Sequence, residues 1–329
     1  MIIAADIGGT KTVLALYERT TEGLHQTAER VFASPEYDSL EAILREFLRD
    51  HAGVRLENAC FGVPGAIIEG RVHTTNLTWN VTESALEAEL KCRVKLLNDL
   101  QATAFGVRYL APSELEVLNS GARPRHKGNI AVIAAGTGLG EAFLCFDGSH
   151  HHPMASEGGH SDFAPRNESQ IELLRYLQKH FGNHISNERV LSGPGFYNIY
   201  CFLRDSGFAP EPQWLKDELA AGGDHSAIIS EAGLAGKSAL CEETLEMFAA
   251  IYGAEAGNMA LRCMAVGGVF VAGGIAPKLI KVLTNGKFVE AFLNKGRMSA
   301  MLREIEVSVA LNPHAPLIGA AHYALNMSM

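Results

Sequence analysis

Five short segments of this chain hold residues whose types and spacing can do chemistry. The first is an acid beside glycines. Asp6 ends an apolar run, Ile2-Ile3-Ala4-Ala5, and is followed by Ile7-Gly8-Gly9-Thr10-Lys11-Thr12 and a second apolar run, Val13 to Tyr17. This pattern predicts a strand, a tight turn and a second strand. The turn brings backbone N–H groups, a Lys and two Thr hydroxyls to one point. It suits an oxyanion, because glycines let the backbone come close and N–H groups point inward. Asp6 would repel a bare phosphate, so carboxylate and turn together point to a metal-bound polyphosphate. A similar turn, Gly136-Thr137-Gly138-Leu139-Gly140, follows the apolar run ending in Ile133-Ala134-Ala135. Two such hairpins can grip a polyphosphate from both sides; without an anion they are ordinary β-turns.

The other three segments carry polar groups suited to an acceptor. Asn98-Asp99 follows an apolar strand and precedes a helix, the place where side chains face the crevice of an open α/β sheet. Asn and Asp are also favoured helix N-caps, so capping is the plainer reading. Glu157-Gly158-Gly159-His160 sets a carboxylate and an imidazole across two glycines in a bent loop. They can bond sugar hydroxyls or, with His150-His151-His152 just before, a metal. No Cys or H-E-x-x-H spacing supports a zinc site, and the triple His reads as an exposed loop tip. Asn187-Glu188-Arg189 begins like a helix start and Gly193-Pro194-Gly195 is a turn. There Glu188 stabilises a helix N-terminus through its dipole or reaches a ligand. Gly236-Lys237-Ser238 imitates the end of a P-loop, but Glu231 occupies the position that needs Gly, and a helix N-terminus is expected instead.

Strand and helix signals alternate around these segments, so the fold class is α/β. Strands are expected near 2–7, 12–18 and 27–33, then a helix from Ser39 with Leu40, Ile43, Leu44, Phe47 and Leu48 on one face. A strand near 58–63 follows, then a short helix after the cap Thr82. A strand from Val94 to Leu97 leads into an Ala-rich helix ending near Tyr109. Pro and Gly across 111–128 mark a crossover. The second half opens with a strand at 129–135 and its partner Ala142 to Phe146. Helical spacing returns at Ile171 to Phe181 and over 240–263. Val269-Phe270-Val271 then leads into Gly273-Gly274 and another helix. The last helix, about 316–326, is short and apolar. This gives two domains, a small one of 1–110 plus about 312–329 and a large one of 111–311.

Composition narrows the partners. At 329 residues, two domains are the default. A net charge of −9 argues against nucleic acid and anionic membrane as main partners. The N-terminus has no basic n-region, so it is not expected to be a signal peptide. The uncharged run from Cys263 to Pro277 is too short and Gly-rich to cross a bilayer. Six scattered Cys without C-x-x-C spacing read as buried free thiols in a reducing cytoplasm.

Taken together, the segments resemble bacterial glucokinases of the hexokinase-like superfamily, whose fold is shared with actin. The likeness runs over nearly the whole chain. It is carried by Asp6 to Thr12, Thr75-Asn76-Leu77-Thr78-Trp79, Leu97 to Ala102, Gly136 to Gly140, Ser156 to His160, Glu188-Arg189-Val190-Leu191-Ser192-Gly193 and Gly267 to Ile275. The Gly-rich turns alone indicate only the superfamily; the Glu157 and Glu188 segments are more specific. Ser161-Asp162-Phe163-Ala164-Pro165 stands where the repressor-containing kinase group carries a Cys-rich zinc motif.

The resemblance implies a two-domain actin-like ATPase (ribonuclease H-like) fold with a cleft. It also implies ATP-dependent transfer to the 6-hydroxyl of glucose, in the first step of glycolysis. Asp99 would be the general base, and Asn98, Glu157, His160 and Glu188 would bind the other hydroxyls, with Asn76 at the rim. Gly8, Gly9, Thr10, Lys11, Thr12 and Gly136, Thr137, Gly138, Gly140 would hold the phosphates. Gly273 and Gly274 would lie beside the adenosine, and Asp6 would orient Mg²⁺ through water. A homodimer is implied as well. The alternatives are a kinase for another hexose, such as mannose or an amino sugar, and a sugar-responsive regulator. A regulator needs a DNA-binding segment, and the phosphate turn already begins at residue 6.

Overall fold

A computed structural model describes residues 1–329 except Glu22, Thr75, Asn76, Pro124, Ser328 and Met329. The chain runs through β1 (Ile2–Ile7), β2 (Lys11–Thr20), β3 (Gly23–Ala33), α1 (Leu40–Arg49), β4 (Asn58–Val63), β5 (Arg71–His73), β6 (Asn80–Thr82), α2 (Glu83–Leu90), β7 (Arg93–Asn98) and α3 (Asp99–Gly106). It continues through β8 (Leu115–Asn119), β9 (Ile130–Ala135), β10 (Leu139–Phe146), β11 (His151–Met154), α4 (Glu168–Phe181), α5 (Gly193–Asp205), α6 (Gln213–Ala220), α7 (His225–Leu234) and α8 (Ala239–Cys263). It ends with β12 (Val269–Ala272), α9 (Ile280–Leu283), α10 (Lys287–Leu293), α11 (Ser299–Arg303), β13 (Val307–Ala310) and α12 (Ala315–Asn326). Two compact units divide it. The first is Met1–Pro112 with His151–Ala155 and the segment from Asn312 onward; the second is Ser113–His150 with Ser156–Leu311.

The first unit is a five-stranded sheet in the order β3-β2-β1-β4-β7. Its central strands are buried on both faces, and period-two alternation sorts their side chains. Ile3, Ala5, Ile7, Leu14 and Leu16 join the core that holds the apolar stripe of α1, Leu40, Ile43, Leu44 and Phe47. Ile2, Ala4, Val13, Ala15 and Tyr17 face Leu317, Ala320, Ala321 and Ala324 of α12. The helix starts follow their caps: Ser39 accepts from Ala42 N–H and Thr82 from Ala85 N–H. Small residues then fix how closely α3 and α12 pack. A Cβ on Gly106 would strike the Ala315 carbonyl, and one on Gly319 would strike that of Ala102.

The second unit carries a sheet with the run β10-β9-β12-β13-β8. β9 pairs antiparallel with β10 and parallel with β12, which is parallel to β13. In the first unit β1 likewise pairs antiparallel with β2 and parallel with β4, which is parallel to β7. The weak sequence repeat at the two hairpin turns therefore extends to four strands of matching order and direction. Helix α8 is the spine of the second core; Leu245, Phe248, Tyr252 and Met259 are buried in it, as their spacing predicts.

Several expectations need correction. β3 starts at Gly23, earlier than expected, and the crossover at 111–128 contains β8, an edge strand paired to β13. Its flanking Pro and Gly and its half-exposed side chains hide the strand pattern. β5, β6, α6 and β13 carry no separate signal strong enough to read. The triple His is not simply a loop tip: His150 is exposed in the turn, but His151 opens β11 and is buried. Nor are all thiols buried; the six Cys are free and Cys145 is exposed. No helix among the described residues is long and apolar enough to cross a membrane.

Gly319→Ala is expected to cost about 1–3 kcal/mol, the usual range for overpacking. The thermal midpoint reads this directly, and an unchanged midpoint would show that α3 and α12 have room to spare.

Candidate active site

In the first unit the chemistry gathers where β1 and β7 end. The β1–β2 turn is closed by the Gly8 N–H donating to the Lys11 carbonyl at 2.9 Å. Thr10 and Lys11 are exposed at its tip. Thr12 differs from the sequence expectation. Strand alternation turns its side chain inward, where it is fully buried with its hydroxyl 2.9 Å from that of Ser34. That hydroxyl supports the turn from beneath and is not available to a phosphate.

Asp6, at the base of the turn, is mostly withdrawn from water. Burial first, and the nearby Asp99 carboxylate second, push its carboxyl from the usual 3.8 to about 6, against the pull of Lys11 and His314. Asp6 and Asp99 are thus electrostatic neighbours although 93 residues separate them in sequence. Asp99 is the first residue of α3. Gly62 on β4 keeps that helix close to the sheet: a Cβ there would lie 3.1 Å from Ala102 Cβ and 3.9 Å from Asp99 Cα.

Asn98 fulfils its plainer reading. Its Oδ1 accepts from Leu100 N–H at 2.9 Å, and its own N–H donates to Gln101 Oε1 at 3.0 Å, which completes a capping box. Its Nδ2 donates to the Gly65 carbonyl at 3.1 Å. Asn98 retains one N–H for a ligand, with its amide plane already fixed. Asn76, the expected rim residue, lies outside the described residues.

In the second unit the expected residues form one connected network. Glu188 does not start a helix. Asn187–Arg189 is a single 3₁₀ turn, and α5 begins at Gly193 behind its own cap, Ser192. Glu188 Oε2 instead accepts from the Leu139 N–H at 2.9 Å, inside the Gly136–Gly140 turn, and a Cβ on Gly138 would collide with it. The neighbouring Asn187 is buried and donates from Nδ2 to Ser161 Oγ at 3.2 Å, just past the Glu157–His160 loop. Ser161 N–H in turn donates to the Gly158 carbonyl at 2.9 Å.

The Glu157 and His160 side chains project into solvent, with 4.0 Å between Glu157 Oε2 and His160 Nε2. Beneath them, Glu141 of β10 is buried against Gly158, leaving no room for a side chain there. Its burial and the neighbouring Glu255 push the Glu141 carboxyl up to about 7, with Arg262 opposing.

The Gly136–Gly140 turn also edges a pocket of about 750 Å³, within the range of small-molecule sites. Gly136, Thr137 and Gly274 line it, and a Cβ on Gly136 or Gly274 would meet open space. Gly273 is needed for another reason, since its φ of +83° and its contact with the Ala135 carbonyl both require glycine. Tyr197, Asp224, His225 and Lys278 also line the pocket and were missed in the sequence. The Asp224-x-Ser226 cap of α7 was the readable signal, since Asp224 Oδ1 accepts from the Ser226 and Ala227 N–H groups. The P-loop imitation at Gly236–Ser238 follows α7 and precedes α8, as expected of a helix start.

The glucokinase family model matches residues 3–327. The chain belongs to the glucokinase family. It is similar to the glucokinase of Nostoc punctiforme, with 41% identity over 334 aligned positions covering 98% of each chain. Among solved structures it resembles a glucokinase from an Antarctic psychrotroph, with a TM-score of 0.88, 32% identity and coverage of 99% of this chain and 98% of that one. It shares its fold, at a TM-score of 0.63, with a ROK family glucokinase from Streptomyces griseus solved in complex with glucose and AMPPNP. That pair is 20% identical, with coverage of 99% of both chains.

A carboxyl with a raised folded-state pKa binds more protons folded than unfolded between its two pKa values. Asp6 therefore contributes a loss of stability as pH rises from 3.8 to about 6, with no further change above. Asp6→Asn removes this dependence. Thermal midpoints of both proteins across that range are expected to diverge as pH rises; a constant difference would contradict the assignment.

Proposed function

We propose that this chain transfers the γ-phosphoryl group of ATP to the 6-hydroxyl of D-glucose, giving glucose 6-phosphate and ADP. Membership of the glucokinase family along nearly the whole chain is the observation that carries this reading. The repeated β-hairpin-led sheets support the two-domain actin-like ATPase architecture that the family resemblance implies. In that architecture, a cleft brings acceptor and donor together and excludes water, which otherwise competes as acceptor.

Each residue's role follows from its chemistry. Asp99 takes the proton from the 6-hydroxyl as its oxygen attacks phosphorus and the bond to ADP breaks. Asn98, Glu157, His160 and Glu188, with Asn76 at the rim, bond the other hydroxyls. A sugar lacking one of these leaves polar groups unpaired, and that is the source of selectivity. For Glu188 this means sharing its carboxylate between the Leu139 N–H and the sugar, so sugar binding and the second phosphate turn are linked. Gly8, Gly9, Thr10 and Lys11 receive the donor phosphates from one side, and Gly136, Thr137, Gly138 and Gly140 from the other. The 750 Å³ pocket takes the adenosine beside Gly273 and Gly274.

Mg²⁺ fits this site through Asp6. Among the described residues no group of three or more His, Cys, Asp or Glu could hold a metal by itself. Magnesium needs no such cage, because it keeps waters and takes substrate phosphate oxygens. A half-buried carboxyl near Asp99 is suited to hold the ion's water shell, and the bound ion would supply neutralisation of phosphate charge. The proposal extends, by family resemblance, to a cytoplasmic homodimer.

ADP release measured with a panel of sugars and phosphate donors tests the reading. Glucose with ATP is expected to give the highest kcat/KM; a far higher value for mannose or an amino sugar would overturn the choice of acceptor. Asp99→Asn is expected to lower kcat at least about a hundredfold, the low end of general-base effects, with glucose binding kept. Near-normal turnover would remove Asp99 from that role. Glu157→Gln is expected to raise KM for glucose with less change in kcat, and an unchanged KM would count against its contact with sugar.

A further inference from the structure

Ser34 lies outside every motif that marks the site, yet it touches the first phosphate turn at three points. It is fully buried where β3 ends. Its Oγ donates to the Gly8 carbonyl at 2.7 Å, and its N–H donates to the Thr10 carbonyl at 3.1 Å. A serine hydroxyl has one proton, and Gly8 takes it. The 2.9 Å contact with Thr12 is therefore the Thr12 hydroxyl donating to Ser34 Oγ. The result is a directed relay from Thr12 to Ser34 to the Gly8 carbonyl.

An anion-binding turn needs its N–H groups directed at the ligand and its carbonyl oxygens kept away from it. Ser34 occupies the carbonyls of Gly8 and Thr10, the two that flank Gly9 in the turn. We propose that Ser34 is a positioning residue for ATP binding, holding the Gly8–Thr12 turn in its phosphate-receiving form before the donor arrives. The inference rests on the assignment of that turn to the donor phosphates. It makes Thr12 a support of Ser34, and it makes the end of β3 part of the donor site's foundation.

The test compares donor and acceptor affinity in Ser34→Ala. Calorimetry with ATP and magnesium gives the donor Kd, intrinsic fluorescence gives the glucose Kd, and a thermal midpoint records stability. The ATP Kd is expected to rise roughly tenfold, the scale of one lost buried hydrogen bond. The glucose Kd is expected to stay within about twofold of its original value, since the hydroxyl deletion acts on the turn. Thr12→Val removes only the relay's first donor and is expected to move the ATP Kd in the same direction by less. It is read by the same criteria if Ser34→Ala does not fold. An unchanged ATP Kd, or equal weakening of ATP and glucose, overturns the proposal. Parent protein that binds ATP without phosphorylating glucose would instead overturn the functional reading and leave the Ser34 comparison standing.

Discussion

Asp6 and Asp99 are held near each other in a partly dry setting, where ionising one opposes ionising the other. Each comes from the end of a strand in the same sheet, β1 and β7, with β4 between them. The glycine at position 62 of that middle strand lets α3 sit close enough to deliver Asp99. Keeping two carboxyls there costs stability, as the upward displacement of Asp6 shows. The surrounding architecture offsets part of that cost: Lys11 in the turn and His314 before α12 both draw Asp6 toward its charged form.

The second unit solves a different problem, that of holding several loops in register without filling the space a ligand needs. Backbone groups do most of this. Leu139 N–H anchors Glu188, Asn187 anchors Ser161, and the Gly193 N–H donates to the Gly136 carbonyl at 2.8 Å. The Tyr252 hydroxyl, buried in the core, accepts from the Ala135 N–H at 3.1 Å where β9 enters the turn. Glycines at 138, 158 and 273 mark where these segments come too close for any side chain. The exposed Glu157 and His160 side chains thus stand on a rigid floor that includes the buried Glu141.

Much of this was legible in the sequence. The Gly-rich turn after β1 and its counterpart after β9 were visible because a strand–turn–strand pattern depends on neighbours in the chain. So were the caps at Ser39 and Thr82 and the long apolar helix α8. The edge strand β8 was not visible, because its pairing with β13 joins segments nearly two hundred residues apart and its own residues are half-exposed. His151 was misjudged for a related reason: three identical residues in a row look polar throughout, and strand alternation buries only the middle one.

By itself, the sequence determined which groups are present and which local shapes present them: two hairpin turns, an Asn-Asp pair at a helix start, a Glu-Gly-Gly-His loop. These follow from short-range backbone geometry and side-chain type. The tertiary structure decided what each group touches. It turned the Thr12 hydroxyl away from the turn and onto Ser34, gave Glu188 to the Leu139 N–H instead of to a helix end, and set Asp6 beside Asp99. Such partners come from segments far away along the chain, and only packing brings them within reach of a hydrogen bond or a charge.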